Sequence, residues 1–153
     1  MRILENRIPP PIVALVFGLA MWGIASTAPT VPARDSSQLI AASAITLIGA
    51  FFCIAGVVSF RLAKTTVNPL KPEKATSLVS SGIYRVSRNP MYVGFALFLL
   101  AWAVYLASLW ALVGVPAYVL YINRFQIAPE ERALTALFGG EFEEYRLRVK
   151  RWL

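Results

Sequence analysis

No charged residue occurs from Met91 to Ile122, and that run limits what the chain can fold into. As one helix, at about 1.5 Å per residue, it would be about 48 Å long. The hydrocarbon core of a bilayer is about 30 Å thick and takes roughly 20 apolar residues. The run therefore reads as a hairpin of two short spans, about 91–107 and 109–126, turning near Ala107-Ser108. Trp102, Tyr105 and Trp110 near that turn suit an interfacial aromatic belt. Two more apolar segments precede it, residues 11–27 after Pro9-Pro10-Pro11 and residues 39–60. The expected fold class is all-α: a polytopic membrane helical bundle of about four transmembrane helices, with C-terminal cytosolic or interfacial helices, in one domain over 1–153. A signal peptide is the rival reading of the first segment. Its apolar stretch exceeds the usual h-region of about 7–15 residues, and prolines interrupt the approach, so retention as a span is expected.

Composition agrees with a bilayer environment. Hydrophobic residues make up 58% of the chain and charged residues 15%, against about half and about a quarter in soluble domains. There is no histidine, and Cys53 is the one cysteine. Those counts remove histidine acid–base chemistry, Cys-His nucleophiles, ordinary zinc sites and an internal disulfide. No metal is expected. The net charge of +7 is confined to segments between apolar runs, so membrane lipid rather than nucleic acid is the expected partner. Basic residues dominate the N-terminus (Arg2, Arg7), the 61–90 connection (Arg61, Lys64, Lys71, Lys74, Arg85, Arg88) and the tail. With four spans these share one side, which the positive-inside rule makes cytoplasmic.

Chemistry is expected in the connection, 61–92, and the tail. Pro69 and Pro72 suggest a fixed extended path, Ser80-Ser81-Gly82 a turn, and Asn89-Pro90 an entry into the third span. In the tail, Pro129 suits the start of a new helix, with Glu130 and Glu131 in its first turn and Arg124 as their nearby charge partner. After Gly139-Gly140 a second amphipathic helix is expected to lie on anionic lipid, with Phe142, Tyr145, Val149 and Trp152 on one face; the two helices together cover 129–152. Acidic residues at this depth are costly unless something cationic compensates. Helix capping and a site for a cationic ligand both account for them. Pro116 is expected to kink the fourth span. Gly49, Cys53 and Gly56 permit close helix approach, within one chain or between copies in a homo-oligomer.

The run "LVSSGIYRVSRNPMYVG", followed by "PEERALTALFGGEFEEYRLRV", resembles the integral-membrane methyltransferases that include isoprenylcysteine carboxyl methyltransferases and phospholipid methyltransferases. The likeness covers roughly residues 65–150. Gly82, Tyr84, Arg88, Pro90, Tyr92 and the glutamate pair carry it. It implies S-adenosylmethionine held on the cytoplasmic side by Thr76, Ser77, Leu78, Val79, Tyr84, Asn89, Pro90, Met91, Tyr92 and Glu130. It also implies a catalytic place for Glu131, of the same signature pair, and for Arg124, which would steer an acidic or phosphate-bearing substrate. Thr65, Thr66 and Asn68 would line a substrate entrance. Where the family commonly has histidine this chain has Asn89, which can hydrogen-bond but cannot shuttle a proton at neutral pH.

Methyl transfer from a sulfonium needs alignment and dryness more than a base. A carboxylate or thiol on a lipophilic, membrane-embedded acceptor is slightly favoured, because a lipid amine must first lose a proton. Phospholipid amine methylation is the alternative. A membrane reductase would use a nicotinamide cofactor, and no Gly-rich fingerprint is present. A four-span transporter or scaffold would be expected to carry an ionisable residue within a span, and none lies there. The methyltransferase reading requires Tyr92 and Glu130 to meet.

Overall fold

The computed structural model describes residues 5, 7–27, 35–63 and 77–153. The expectations on Thr65, Thr66, Asn68 and Thr76, and on the path through Pro69 and Pro72, lie outside those residues. Six α-helices occur among the described residues, with no strand: α1 Pro10–Thr27, α2 Ser36–Leu62, α3 Pro90–Leu106, α4 Gly114–Ile122, α5 Ala128–Phe138 and α6 Gly140–Arg148.

Each boundary has a local cause. Pro10 opens α1 where a missing N–H costs nothing. Asp35 caps α2 by accepting the Gln38 N–H at 2.9 Å. Asn89 and Pro90 open α3 in the same way as α1. α3 ends at Leu106, where Ala107 takes a left-handed conformation with φ 52°. The chain then reverses, and the Ser108 hydroxyl accepts the Ala111 N–H at 3.3 Å.

α1 and α2 are long and apolar enough to cross a bilayer, and most of their surface faces outward. Leu47, Phe51 and Ile54 on α2 and Leu15, Leu19 and Trp22 on α1 are exposed, an arrangement suited to lipid rather than water. α3, at 17 residues, is shorter. The fourth expected span is not one regular helix. It consists of a 3-10 turn Ala111–Val113, α4, a π turn Asn123–Ile127 and then α5 without a break.

Two prolines explain those irregular turns. A proline has no N–H to give and its ring collides with the carbonyl four residues back. For Pro116 that carbonyl belongs to Leu112, inside the 3-10 turn, so Pro116 sits in the first turn of α4 rather than kinking it mid-span. For Pro129 it belongs to Phe125, inside the wider π turn. Pro129 stands in the first turn of α5, as expected, and α5 follows the π turn without a break.

α2 and α3 pack most closely, because glycines face each other. A Cβ on Gly94 would lie 2.3 Å from Cys53 Sγ and 2.7 Å from the Gly49 carbonyl oxygen. The close approach that Gly49, Cys53 and Gly56 permit is thus used within one chain. α1 lies across α3 and α4. Trp102 donates its indole N–H to the Gly18 carbonyl at 3.0 Å, so this ring ties α3 to α1. Val13, Met21, Leu99, Tyr118, Ile122 and Ile127 fill the core they share.

The tail also differs from expectation. α6 stops at Arg148, and Val149 is extended. Phe142 and Tyr145 are buried against Val79 and Tyr84, so the apolar face of α6 packs on the connection before α3 and not on lipid. Trp152 joins the main core instead.

Gly94→Ala should force α2 and α3 apart, since the Gly49 backbone cannot give way. The expected loss is about 1–3 kcal/mol, read as a lower thermal midpoint in detergent. Adding Cys53→Ala should recover only part of it.

Candidate functional site

Tyr92 lies in the first turn of α3 and Glu130 in the first turn of α5. Each position is set by its own local chemistry. Before α3, Asn89 accepts the Val93 N–H on its carbonyl at 3.0 Å, and its own N–H donates to the Ser87 hydroxyl at 3.1 Å. Before α5, the π turn carries the helix past Pro129. The Tyr92 hydroxyl then donates to Glu130 Oε2 at 3.1 Å. The two residues on which the sequence reading depends are in contact.

Tyr84 joins them from a 3-10 turn, Gly82–Arg85. Gly82 has φ +60°, and a Cβ there would meet Ser59 Oγ at 2.8 Å, so glycine suits both the backbone and the space. Tyr84 is buried edge-on against Phe60, and its carbonyl accepts the Tyr145 hydroxyl at 2.7 Å. Burial, with the Glu130 charge second, pushes the Tyr84 phenol well above its ordinary value. Val79 and Leu78 pack in the same cluster.

The other expected site residues make contacts within the chain. The Ser77 hydroxyl donates to the Ala63 carbonyl at 3.3 Å. Pro90 is fully buried, and the Met91 side chain lies against Gly56. The Asn89 side-chain amide donates to the Arg151 carbonyl at 2.9 Å. Glu131 is turned away from Glu130 into an ion cluster. Arg88 Nη2 approaches its Oε1 at 3.2 Å, and Arg151 holds both carboxylate oxygens. Arg124 is not the partner of the glutamate pair. It is half-exposed and bonds Glu5 Oε1 at 3.2 Å, alongside Arg132 on the same carboxylate.

Three features have no counterpart among the expected site residues. Arg88 is nearly enclosed, yet its Nε and Nη1 find no hydrogen-bond partner among the described residues. The Tyr118 hydroxyl, fully buried, is likewise unpartnered. Arg151, read as one of several tail cations, grips Glu131. Arg88 belongs to the quoted sequence pattern, and its position directly before Asn89-Pro90 was the available signal. Nothing in the spacing marked Arg151. Among the described residues no group of three metal-ligating side chains occurs.

Burial pushes the Glu130 carboxyl up to about 7. The Tyr92 hydrogen bond opposes that rise and the Glu131 charge adds to it. The arrangement thus holds a buried carboxyl bonded to a phenol and, paired with Glu131, a guanidinium with two N–H groups unpartnered among the described residues. A cation with an attached anionic group would complete it.

The phospholipid methyltransferase family matches residues 37–141, from the start of α2 through α5. The chain belongs to that family. A rice protein named "Probable protein-S-isoprenylcysteine O-methyltransferase", present in the indica and japonica subspecies, is 31% identical over 115 residues, 69% of this chain. The alignment spans 59% of the rice protein's length. An uncharacterized protein of Haemophilus influenzae is 46% identical over 63 residues, 41% of this chain and all of its own. No solved structure matches. Family membership and the two apolar helices together make this a membrane-associated methyltransferase-family chain.

The raised Glu130 value has a sign that can be measured. The folded state holds this proton more tightly than the unfolded chain, whose ordinary value is 4.5. The resulting stabilisation is complete below about 4.5 and is lost as pH rises through about 7. With no histidine in the chain, no other side chain of ordinary pKa titrates in that window. The ligand-free protein should therefore lose on the order of 3 kcal/mol between pH 5 and 8. Thermal melts in detergent should show the decline, and Glu130→Gln should flatten it.

Proposed function

We propose that this chain transfers a methyl group from S-adenosylmethionine to a lipophilic acceptor that reaches the site from the bilayer. The observation that carries the reading is the Tyr92–Glu130 hydrogen bond, which joins the two sequence segments of the family pattern. The residues present fit the cofactor. Glu130 offers a carboxylate to its ammonium or sulfonium, and Tyr84 and Tyr92 offer aromatic surface to a cation. The two unclaimed N–H groups of Arg88 suit its carboxylate. Val79 and Leu78 supply apolar lining.

When bound, the cofactor supplies a methyl group already activated on sulfur. The protein's share is then to orient and to dry. Tyr92 and Glu130 fix the donor end, α6 covers Tyr84 from water, and no covalent attachment to the chain is required. In this arrangement α1, α2, α3 and the 111–127 helix cross the membrane. The N-terminus, the 61–90 loop and the tail share the cytoplasmic side.

A carboxylate or thiol acceptor needs no base, or only a weak one. A lipid amine is the second reading, and it must shed a proton before it can attack. Glu130 is not free to take that proton while its carboxylate faces the cofactor's cation, which lowers its pKa from the ligand-free value of about 7.

Purified protein incubated with methyl-labelled S-adenosylmethionine and a membrane lipid extract should place label in an apolar product. Separating ester, thioether and N-methyl products identifies the acceptor. Folded protein that neither binds the cofactor nor labels any lipid would overturn the proposal. Glu130→Ala should weaken cofactor binding about tenfold, on the order of 1.4 kcal/mol. In the native protein the affinity should fall as pH drops below about 7, by up to about tenfold per unit, because a cation prefers the ionised carboxylate.

A further inference from the structure

The last residues of the chain run beside the site as a strap. Where α6 ends, Val149 turns extended, and three residues then make contacts at three separate places. The Lys150 carbonyl accepts the Arg88 N–H at 3.0 Å. The Arg151 carbonyl accepts from the Asn89 amide at 2.9 Å and from the Ser87 hydroxyl at 3.4 Å. These bonds hold the corner from which α3 starts and from which Tyr92 projects. The Arg151 side chain holds both oxygens of Glu131, the residue next to Glu130. The Trp152 indole N–H donates to Asn123 Oδ1 at 3.1 Å, at the first residue of the π turn that leads to Glu130.

We infer that residues 150–152 are the positioning element of the cofactor site, with Arg151 as its principal positioning residue. This rests on the function proposed above. The strap lies beyond the residues matched to the family, 37–141. It touches the two sides of the Tyr92–Glu130 pair separately, through the Ser87–Asn89 corner and through Glu131. The corner and α5 come from distant parts of the chain, and their separation is set by what joins them. Glu131 is shared between Arg88 from the corner and Arg151 from the strap, so loss of Arg151 leaves Glu131 free to draw Arg88 out of place. Asn89 acquires a role in the same way: its amide anchors the strap.

The test compares full-length protein with Arg151→Gln, Arg151→Lys, a chain ended after Val149, and Arg148→Gln, an exposed arginine of α6. Arg151→Gln should raise the Kd and KM for S-adenosylmethionine about tenfold with a smaller change in kcat. Arg151→Lys should recover part of the loss, the shortened chain should lose more, and Arg148→Gln should match the native protein. Glu131→Gln with Arg151→Gln should be no weaker than Glu131→Gln alone, because both act through one contact. Native affinity in the folded Arg151→Gln and shortened proteins would overturn the inference. So would losses that only track the unfolded fraction in melts. If the native protein binds no cofactor, the functional proposal fails first. Amide exchange over residues 89–93 in ligand-free protein then still decides: faster exchange in the shortened chain supports the strap, and equal exchange removes it.

Discussion

A phenol from the start of α3 and a carboxylate from the start of α5 share one hydrogen bond, and the features around them bear on keeping that bond in place. Neither group would choose this setting alone. A carboxylate drawn out of water is held at a cost unless it is protonated or faces a cation. Tyr92 offsets part of that cost by donating to it. The rest appears as the raised pKa of Glu130, a sign of a group waiting for a positive partner. Its neighbour Glu131 shows the opposite solution. With Arg88 and Arg151 on its oxygens, it is satisfied within the protein and acts as a structural joint. Two adjacent glutamates thus differ because successive residues on a helix point about 100° apart.

The sequence showed where the bilayer-like segments lie and which residues meet, because both depend on strong local signals. Uncharged runs mark α1, α2 and the hairpin after Met91, and the turn at Ala107-Ser108 falls where the uncharged run has to fold back. The meeting of Tyr92 with Glu130 followed from a resemblance between two short segments, not from any periodicity. What was not legible depended on partners distant in sequence. Phe142 and Tyr145 look like a lipid-facing stripe until Val79 and Tyr84 are seen to cover them. Trp102 gives no sign in the sequence that its indole N–H meets the Gly18 carbonyl on α1. Arg124 sits near the glutamates in sequence, yet its charge goes to Glu5. A helix reading from composition gives the faces, but not what fills them.

The asparagine at position 89 illustrates how a departure from a family pattern can be absorbed. Proton transfer is closed to an amide, but hydrogen bonding is not. Asn89 spends its side chain on the carbonyl of Arg151 while its backbone caps α3. The position therefore keeps a geometric duty that does not need an ionisable ring.

The π turn at Asn123–Ile127 has one further consequence. It inserts an additional residue into what would otherwise be a continuous α-helical repeat, so everything downstream is rotated about the axis relative to the upstream face. Winding the same residues as a regular α-helix, with none removed, would swing Glu130 by roughly 100°, away from the phenol it now meets. The azimuth of the acidic group is thus encoded as a phase error in a helix.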